Sequence, residues 1–319
     1  AAGQAGRQAQ RLSVAVLSIT LPIYLLMLLG WAAARQGLFN KDELRLMGRF
    51  IVQIALPALL FKAVGSRPLG EVLHLGYLAA MAIGSLSVFA AVWFWALKVK
   101  GRAHAAAAIQ AMGSSFSNTG YVGYPIALQF LGPVAGVALA LNMLVENLLM
   151  LPLVLALAAR GQSGAGWRSL FRPLLHNPMI WAIALGFAVA ASGVSLPAPL
   201  WKAIEWMALA STGLALFVVG GTLAGLSTRG LATQVTEIAC AKLLLHPLAV
   251  LLATGLFPGM SPEVRQAAVL MAAMPMLGIY PIIAQRWGLE GPSAAALLGT
   301  TLASFFTISG WLWWLQRSA

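Results

Sequence analysis

Four side chains in otherwise apolar stretches of this sequence could bind or carry an ion: Asn118, Glu146, Lys242 and His246. An asparagine amide can donate to a carboxylate, a carboxyl group can carry a proton, and an ammonium can neutralise an anion. Polar and ionisable groups within long apolar segments are costly, and by default they mark a function. These residues therefore point to a site for a charged solute.

Each of these residues also has a structural interpretation, and the sequence leaves the choice open. Asn118 could simply cap a helix end. Glu146 could carry a proton or form a structural ion pair with Lys242, and Lys242 could instead neutralise a substrate carboxylate. His246 lies one turn after Lys242, directly before Pro247, and we interpret it as a hydrogen-bonded helix residue rather than a proton relay.

The segment that contains Asn118 is predicted to be interrupted. Gly120, Gly123 and Pro125 lie close together in apolar sequence, and proline removes an amide donor and clashes with the carbonyl four residues earlier. We expect a helix, a short unwound stretch and a second helix. The residues expected to line a substrate site here are Asn118, Thr119, Gly120, Tyr121 and Pro125, together with Gln53 and Asn142; Ser114, Ser115 and Ser117 are weaker hydroxyl candidates.

The interrupted segment occurs a second time. Tyr124, Pro125, Ile126, Gln129 and Gly132 align without a gap on Tyr280, Pro281, Ile282, Gln285 and Gly288. Paired interrupted apolar segments in corresponding halves of a chain indicate the binding site of a transporter. The second break is therefore expected to contribute Pro275, Gly278, Tyr280 and Pro281.

The composition indicates an integral membrane protein. The chain is 60% hydrophobic and 9% charged, whereas soluble domains carry about 25% charged residues. The net charge of +12 comes from basic residues between apolar spans, so we take it as a topology signal rather than as nucleic-acid binding. No phosphate-binding Gly-Lys-Ser/Thr loop, catalytic cluster or metal-ligand array is recognisable in the sequence. Neither an enzyme nor a metal or other cofactor is therefore expected.

The sequence predicts an all-α membrane protein with ten transmembrane helices. A polar N-terminal tail, 1–11, is followed by a first five-helix repeat at 12–159, a basic cytoplasmic connector at 160–177 and a second repeat at 178–315. Five helices per half give the repeats opposite orientations, so that the interrupted fourth and ninth helices cross. More Lys and Arg residues fall on the connector side, which predicts that both termini lie outside.

Several short motifs, in their order and spacing, resemble the auxin efflux carrier family over nearly the whole chain from Leu21. They are Leu-Pro-Ala-Leu-Leu at 56–60, Asn118-Thr119 followed by Gly123 and Pro125, Asn177-Pro178, Gly-Gly-Thr-Leu at 220–223, Lys242 with Pro247, and Ala273-Met274-Pro275. The resemblance implies secondary transport of an organic anion by a scaffold part and a transport part around crossed helices, and it suggests a homodimer. The bile-acid/sodium symporters look like distant relatives.

We therefore expect a carrier in the bacterial inner membrane, surrounded by lipids, for a small mono- or dicarboxylate such as malonate, malate or an indole acid. Glu146 or Lys242 would couple transport to a proton or to membrane potential. One alternative is a sodium-coupled symporter in which Ser114, Asn118 and Thr119 supply oxygen ligands. Another is a channel or receptor without coupled transport.

Overall fold

A computed structural model describes residues 2–160, 175–226 and 232–317, and over these ranges the chain is helical with no β-strand. Most of the predicted connector, 161–174, lies outside the described residues. The structure confirms the all-α class, while the ten-helix inverted repeat stays a prediction.

The helices of the first part of the chain are separated by short π-helical turns. They are α1 (Ala2–Arg35), α2 (Lys41–Phe50), a π turn (Ile51–Ala55), α3 (Leu56–Gly65), α4 (Leu69–Val72), α5 (Leu75–Phe94), a π turn (Trp95–Val99), α6 (His104–Ser115), a π turn (Thr119–Gly123), α7 (Tyr124–Leu131), α8 (Val134–Leu144), a π turn (Val145–Met150) and α9 (Leu151–Ala158).

The second part contains the same kinds of element. They are α10 (Pro178–Ser192), α11 (Ala198–Leu223), α12 (Ala232–Cys240), a π turn (Ala241–Leu245), α13 (His246–Thr254), α14 (Pro262–Ala272), α15 (Tyr280–Ala284), a 3₁₀ turn (Gln285–Trp287) and α16 (Glu290–Arg317).

Seven helical segments in the described ranges are long and apolar enough to cross a membrane: Val14–Arg35, Lys41–Gly65, Leu69–Val99, Val134–Ala158, Ala198–Leu223, Ala232–Thr254 and Glu290–Arg317. The other predicted spans differ for local reasons. Two contain the breaks and so form no long continuous helix, and Pro178–Ser192 is a shorter apolar helix.

The first helix begins earlier than predicted. The predicted tail 1–11 is helical from Ala2 onward, whereas hydropathy had placed the helix start at Leu12. Hydropathy finds only the apolar part of a helix. The Ala, Gln and Arg residues of this segment favour helix, but together they are not hydrophobic enough to indicate a membrane span. The helix therefore extends beyond its apolar part.

The helices pack as two groups. In the first helix group, α1 packs along α11, and α3 packs against α10 and α11. In the second helix group, α5 packs against α6 and α13, α12 packs against α16, and α14 packs against α8 and α13. The groups meet where α3 contacts α8 and where α1 contacts α16; at the latter contact the Tyr24 and Ser304 hydroxyls are hydrogen-bonded at 2.7 Å. The candidate site lies on this boundary.

Candidate functional site

Both predicted breaks are present. In the first, α6 ends at Ser115, the backbone at 116–118 is non-helical, and a π turn leads into α7 at Tyr124. In the second, α14 ends at Ala272, and the chain stays non-helical until α15 begins at Tyr280. In each copy the repeated Tyr-Pro pair begins the second helical piece, where proline is tolerated because the first amide donors of a helix have no partner in that helix.

The two breaks are in direct contact. The Asn118 backbone N–H donates to the Pro275 carbonyl oxygen at 2.8 Å. A Cβ atom placed on Gly278 would lie 3.6 Å from the Asn118 Nδ2 atom, and one placed on Gly123 would lie 3.0 Å from the Met274 side chain. Glycines therefore allow the unwound stretches to approach closely at this point.

A cavity of about 130 Å³ opens beside this contact. Val52, Leu56 and Met179 line it from the first helix group, and Asn118 and Glu146 line it from the second. The other polar side chains in its wall are Tyr121 and Asn147, and the remaining side chains are apolar. The cavity thus lies between the two groups and has an apolar wall with a few polar groups, as small-molecule sites usually do.

Asn118 has an unusual environment. Its side chain is 2% exposed, and among the described residues its Oδ1 atom has no hydrogen-bond partner. Its carbonyl oxygen accepts the N–H groups of Val122 and Gly123, so the backbone at this residue caps the π turn. A buried acceptor without a partner is costly, and this oxygen suits a donor or a cation, whereas the Nδ2 group of the same amide is the part that can donate to a carboxylate.

Glu146 lies in the Val145–Met150 π turn and is 5% exposed. Its Oε1 atom accepts the Ser117 backbone N–H at 2.8 Å, so the carboxyl group is held against the residue before Asn118. Asn142, one turn earlier, donates from Nδ2 to the Thr119 hydroxyl at 3.4 Å. The helix that carries Glu146 is therefore fastened to the first break at two successive places.

Lys242 approaches both breaks from the other side. Its ammonium donates to the Ser117 Oγ atom at 2.9 Å, to the Ala272 carbonyl oxygen at 2.6 Å and to the His246 Nδ1 atom at 2.9 Å. The Lys242 ammonium and the Glu146 carboxylate are not a direct ion pair, because Ser117 lies between them and bonds to each. Lys242 is absent from the residues that line the cavity.

Comparison of the sequence with known families shows the family of this chain. The profile of the family described as "Membrane transport protein" matches residues 15–166 and 167–312. The chain belongs to this family. The match confirms the resemblance to the auxin efflux carriers, and the protein is a multi-pass membrane transporter rather than an enzyme.

Two curated relatives are similar over almost their whole length. A Rhizobium meliloti protein named "Putative malonate transporter" is 30% identical over 310 residues, which cover 95% of this chain and 97% of the relative. The Escherichia coli K12 protein named "Uncharacterized transporter YfdV" is 28% identical over 304 residues, which cover 92% of this chain and 95% of the relative.

The structure brings only part of the predicted substrate set to the cavity of this transporter. Asn118, Gly120, Tyr121 and Gly278 line it, whereas Thr119, Pro125, Asn142, Pro275, Tyr280 and Pro281 lie behind its wall or at the helix joints. Tyr280 packs against Gly113 of α6, since a Cβ atom there would be 2.8 Å from the tyrosine ring. Gln53 is exposed and does not line the cavity, although Val52 in the same π turn does.

The residues predicted to bind or carry an ion are also divided between the cavity wall and the interior. Glu146 lines the cavity, whereas Lys242 and His246 are buried behind Ser117. His246 also contacts the Ser85 hydroxyl through Nε2 at 2.9 Å, as expected of a hydrogen-bonded helix residue. Of the possible sodium ligands, Ser114 donates its hydroxyl to the Gln110 carbonyl within its own helix.

Sequence reasoning did not assign a site role to Leu56, Met179 or Asn147. Leu56 and Met179 form the wall contributed by the first helix group, and Asn147 accepts a hydrogen bond from Asn177 at 3.0 Å beside the cavity. The sequence did contain a signal for Leu56 and for Asn177, the partner of Asn147, because each of these two residues precedes a proline within a family motif. Apolar wall residues, however, look like ordinary core positions in a sequence.

Proposed function

We propose that this transporter is a secondary carrier for a small organic anion, a mono- or dicarboxylate, and that it works by alternating access in a bacterial inner membrane. The observation that carries this proposal is the contact between the two breaks, with the Asn118 amide and the Glu146 carboxyl group beside the cavity. Crossed interrupted helices at a cavity are typical of secondary transporters.

The first break offers donors for one carboxylate group. The π turn begins at Thr119, so the first N–H groups of the turn have no partner within it, and they add partial positive charge near Asn118. The Asn118 amide can present its two N–H donors to the same oxygen atoms. Backbone amides at an interrupted helix bind carboxylates in this way in other transporter folds.

Glu146 is the group that best suits proton coupling. It faces the cavity, and in the described part of the chain no cationic side chain lies within 4.0 Å of it. A bound anion beside an ionised carboxylate would be repelled, so binding of an anion favours protonation of Glu146. Anion and proton would then cross together.

The composition of the cavity wall bears on the substrate. One relative carries the name of a malonate transporter, which supports a dicarboxylate. The wall is mostly apolar and contains no Lys or Arg among the described lining residues, which supports a carboxylate with an apolar body. Malonate, malate and indole-3-acetate therefore form the informative substrate panel.

The two helix groups give the proposed parts of the carrier. The first helix group would be the scaffold and the second helix group the moving transport part, with ten spans arranged as inverted repeats at 12–159 and 178–315. Both termini would lie outside, and a homodimer would form through the scaffold. In support, the cavity has walls from both groups, so movement of one group past the other would change its access.

Counterflow in proteoliposomes tests the proposal. Vesicles loaded with unlabelled acid would take up each labelled acid of the panel in exchange, with and without sodium and a pH gradient. Asn118→Ala is expected to lower exchange about 10- to 100-fold, because a hydrogen bond to a charged group is lost. Gln129→Ala is the matched control, since Gln129 is an exposed amide in the same interrupted segment.

Saturable exchange of one acid that is lost in Asn118→Ala and kept in Gln129→Ala would support the assignment. Normal exchange in Asn118→Ala would contradict the proposed site. A strict requirement for sodium would favour the sodium-coupled alternative, and downhill flux without exchange or accumulation would favour a channel.

A further inference from the structure

Lys242 has surroundings that differ from those of a substrate ligand. Its side chain is 0% exposed, and its ammonium group has three N–H donors. All three have acceptors, namely Ser117 Oγ, the Ala272 carbonyl oxygen and His246 Nδ1. No donor is left for a carboxylate in the cavity, so Lys242 does not contact the substrate in this conformation.

The acceptors of Lys242 lie at both breaks. Ser117 directly precedes Asn118, and Ala272 is the last residue of α14 before the second break. The carbonyl groups at the end of α14 lack helical partners and carry partial negative charge. The ammonium therefore joins the ends of the two helical pieces whose unwound continuations form the crossing.

His246 completes the cation site as a neutral imidazole. Its Nδ1 atom accepts from the ammonium, which leaves the proton on Nε2, where it can be donated to the Ser85 hydroxyl at 2.9 Å. An imidazolium in this position would direct a second positive charge at Lys242. The set of two oxygen atoms and one nitrogen atom thus suits a single small cation.

We propose that Lys242 is a tethered cation that occupies the crossing and keeps the two breaks together, so that this carrier needs no free sodium or potassium ion. This proposal depends on the proposed function only where transport is the quantity measured. Lys242 is a positioning residue, because it holds Ser117 and Ala272 and through them the orientation of Asn118. Its removal should leave a vacant site that a small free cation can fill.

The test compares wild type, Lys242→Ala, Lys242→Met and Lys242→Arg in choline, sodium, potassium and ammonium media. Wild-type counterflow should be the same in all media. Lys242→Ala should lose at least about tenfold in choline, since buried acceptors lose their cation, and should recover in ammonium or sodium. Lys242→Met fills the space without charge and should not recover, whereas Lys242→Arg should retain part of the activity.

A second measurement does not depend on transport. The thermal midpoint of purified Lys242→Ala should rise with ammonium or sodium concentration relative to choline, as expected when a ligand binds only the folded state. The midpoints of wild type and Lys242→Met should not rise. If Lys242→Ala is too unstable in choline, purification in ammonium that yields a monodisperse protein would itself support the proposal.

The outcomes separate the two proposals. Two outcomes would overturn the proposal of a tethered cation. One is a sodium requirement in wild type, and the other is a Lys242→Ala variant whose activity and thermal midpoint are the same in every cation medium. Failure of wild type to exchange any acid would count against the proposed function alone, because the cation-dependent midpoint of Lys242→Ala would still be measurable.

Discussion

At the scale of single residues, the site separates two charges that the sequence had left as possible partners. The Glu146 carboxyl group faces the cavity and the Lys242 ammonium faces the helix ends, and the backbone and hydroxyl of Ser117 stand between them. In this arrangement the Glu146 carboxyl group can act in transport, whereas the Lys242 ammonium holds the helix ends. This division predicts different phenotypes for the two residues.

Replacement of Glu146 by Gln should uncouple transport from the proton gradient. Glutamine keeps the length of the side chain and an Oε1 acceptor for the Ser117 N–H, but it cannot release or take up a proton. Counterflow, which needs no net proton movement, should remain within about threefold of wild type, whereas uptake driven by an inward proton gradient should lose that stimulation.

The measurement is labelled-acid uptake with and without a pH gradient in the same vesicles. Glu290→Gln is the control, because Glu290 is an exposed carboxylate at the start of α16. Undiminished stimulation by the gradient in Glu146→Gln would remove Glu146 from the coupling mechanism.

The sequence identified the polar residues but not which of them touch. Asn118, Glu146 and Lys242 stood out because polar groups are rare in apolar helices. Their contacts depend on how three separate segments pack, and Ser117 became the bridge only through that packing. Gln53 was selected by residue type and proximity to Pro57, but the direction of a side chain on a π turn is not apparent from sequence.

At the scale of helices, a proline accompanies four of the five π turns in the described ranges, and the turn at Trp95–Val99 has none. The turns at Ile51–Ala55, Thr119–Gly123, Val145–Met150 and Ala241–Leu245 each precede a helix whose second residue is proline: Pro57, Pro125, Pro152 and Pro247. Proline lacks the N–H and crowds the carbonyl of the preceding turn, and a wider turn relieves both effects.

These π turns also explain why the fold was more predictable than its local geometry. Apolar length predicted the seven long apolar segments, and the glycine-proline clusters predicted the two breaks, while the number of ten spans stays a prediction. The turns that carry Glu146 and Lys242 were not predicted, because a single proline in a membrane helix is compatible with a simple kink. π turns are often found at functional sites, and here they direct both side chains toward the first break.

Helix contacts in the first group depend on glycine, and Gly220 gives a clear prediction. A Cβ atom at Gly220 would lie 1.7 Å from the Met27 carbonyl oxygen, so Gly220→Ala would force α11 away from α1. We expect a loss of about 1–3 kcal/mol of stability. The thermal midpoint in detergent, followed by size-exclusion chromatography, measures this loss.

Gly213→Ala provides the control within the same helix. Nothing lies within 4 Å of a Cβ atom at Gly213, and alanine favours helix more than glycine does. Its midpoint should stay equal to or above that of wild type. Equal midpoints for the Gly220 and Gly213 variants would mean that the two helices do not pack this closely.

At the scale of the whole molecule, a second cavity lies along the boundary between the two helix groups. It has a volume of about 320 Å³, and its wall includes Lys62, Arg67, Tyr124 and Thr212. Along the chain the two cavities share neighbouring turns, since Leu56 lines the first and Leu59 the second. Both cavities therefore have part of their wall from the start of α3.

Close packing of α3 on α8 occurs at this boundary. A Cβ atom at Gly136, which lines the second cavity, would lie 2.7 Å from the Ala63 Cβ atom. In an alternating-access carrier the two groups must slide or tilt past each other, and a close approach of backbones permits this only with small residues. Gly136 and Ala63 are thus expected to limit how far the second cavity can close.

Gly136→Ala should slow transport by about tenfold, because the added methyl group wedges α3 and α8 apart and hinders the conformational step. Substrate binding, measured as stabilisation of the thermal midpoint by the transported acid, should persist because Asn118 and Glu146 are unchanged. The double variant Gly136→Ala with Ala63→Gly moves the methyl group to the other helix and should restore exchange. If Gly136→Ala transports at the wild-type rate, or if the double variant is as slow as Gly136→Ala, the contact between Gly136 and Ala63 does not limit movement between the helix groups.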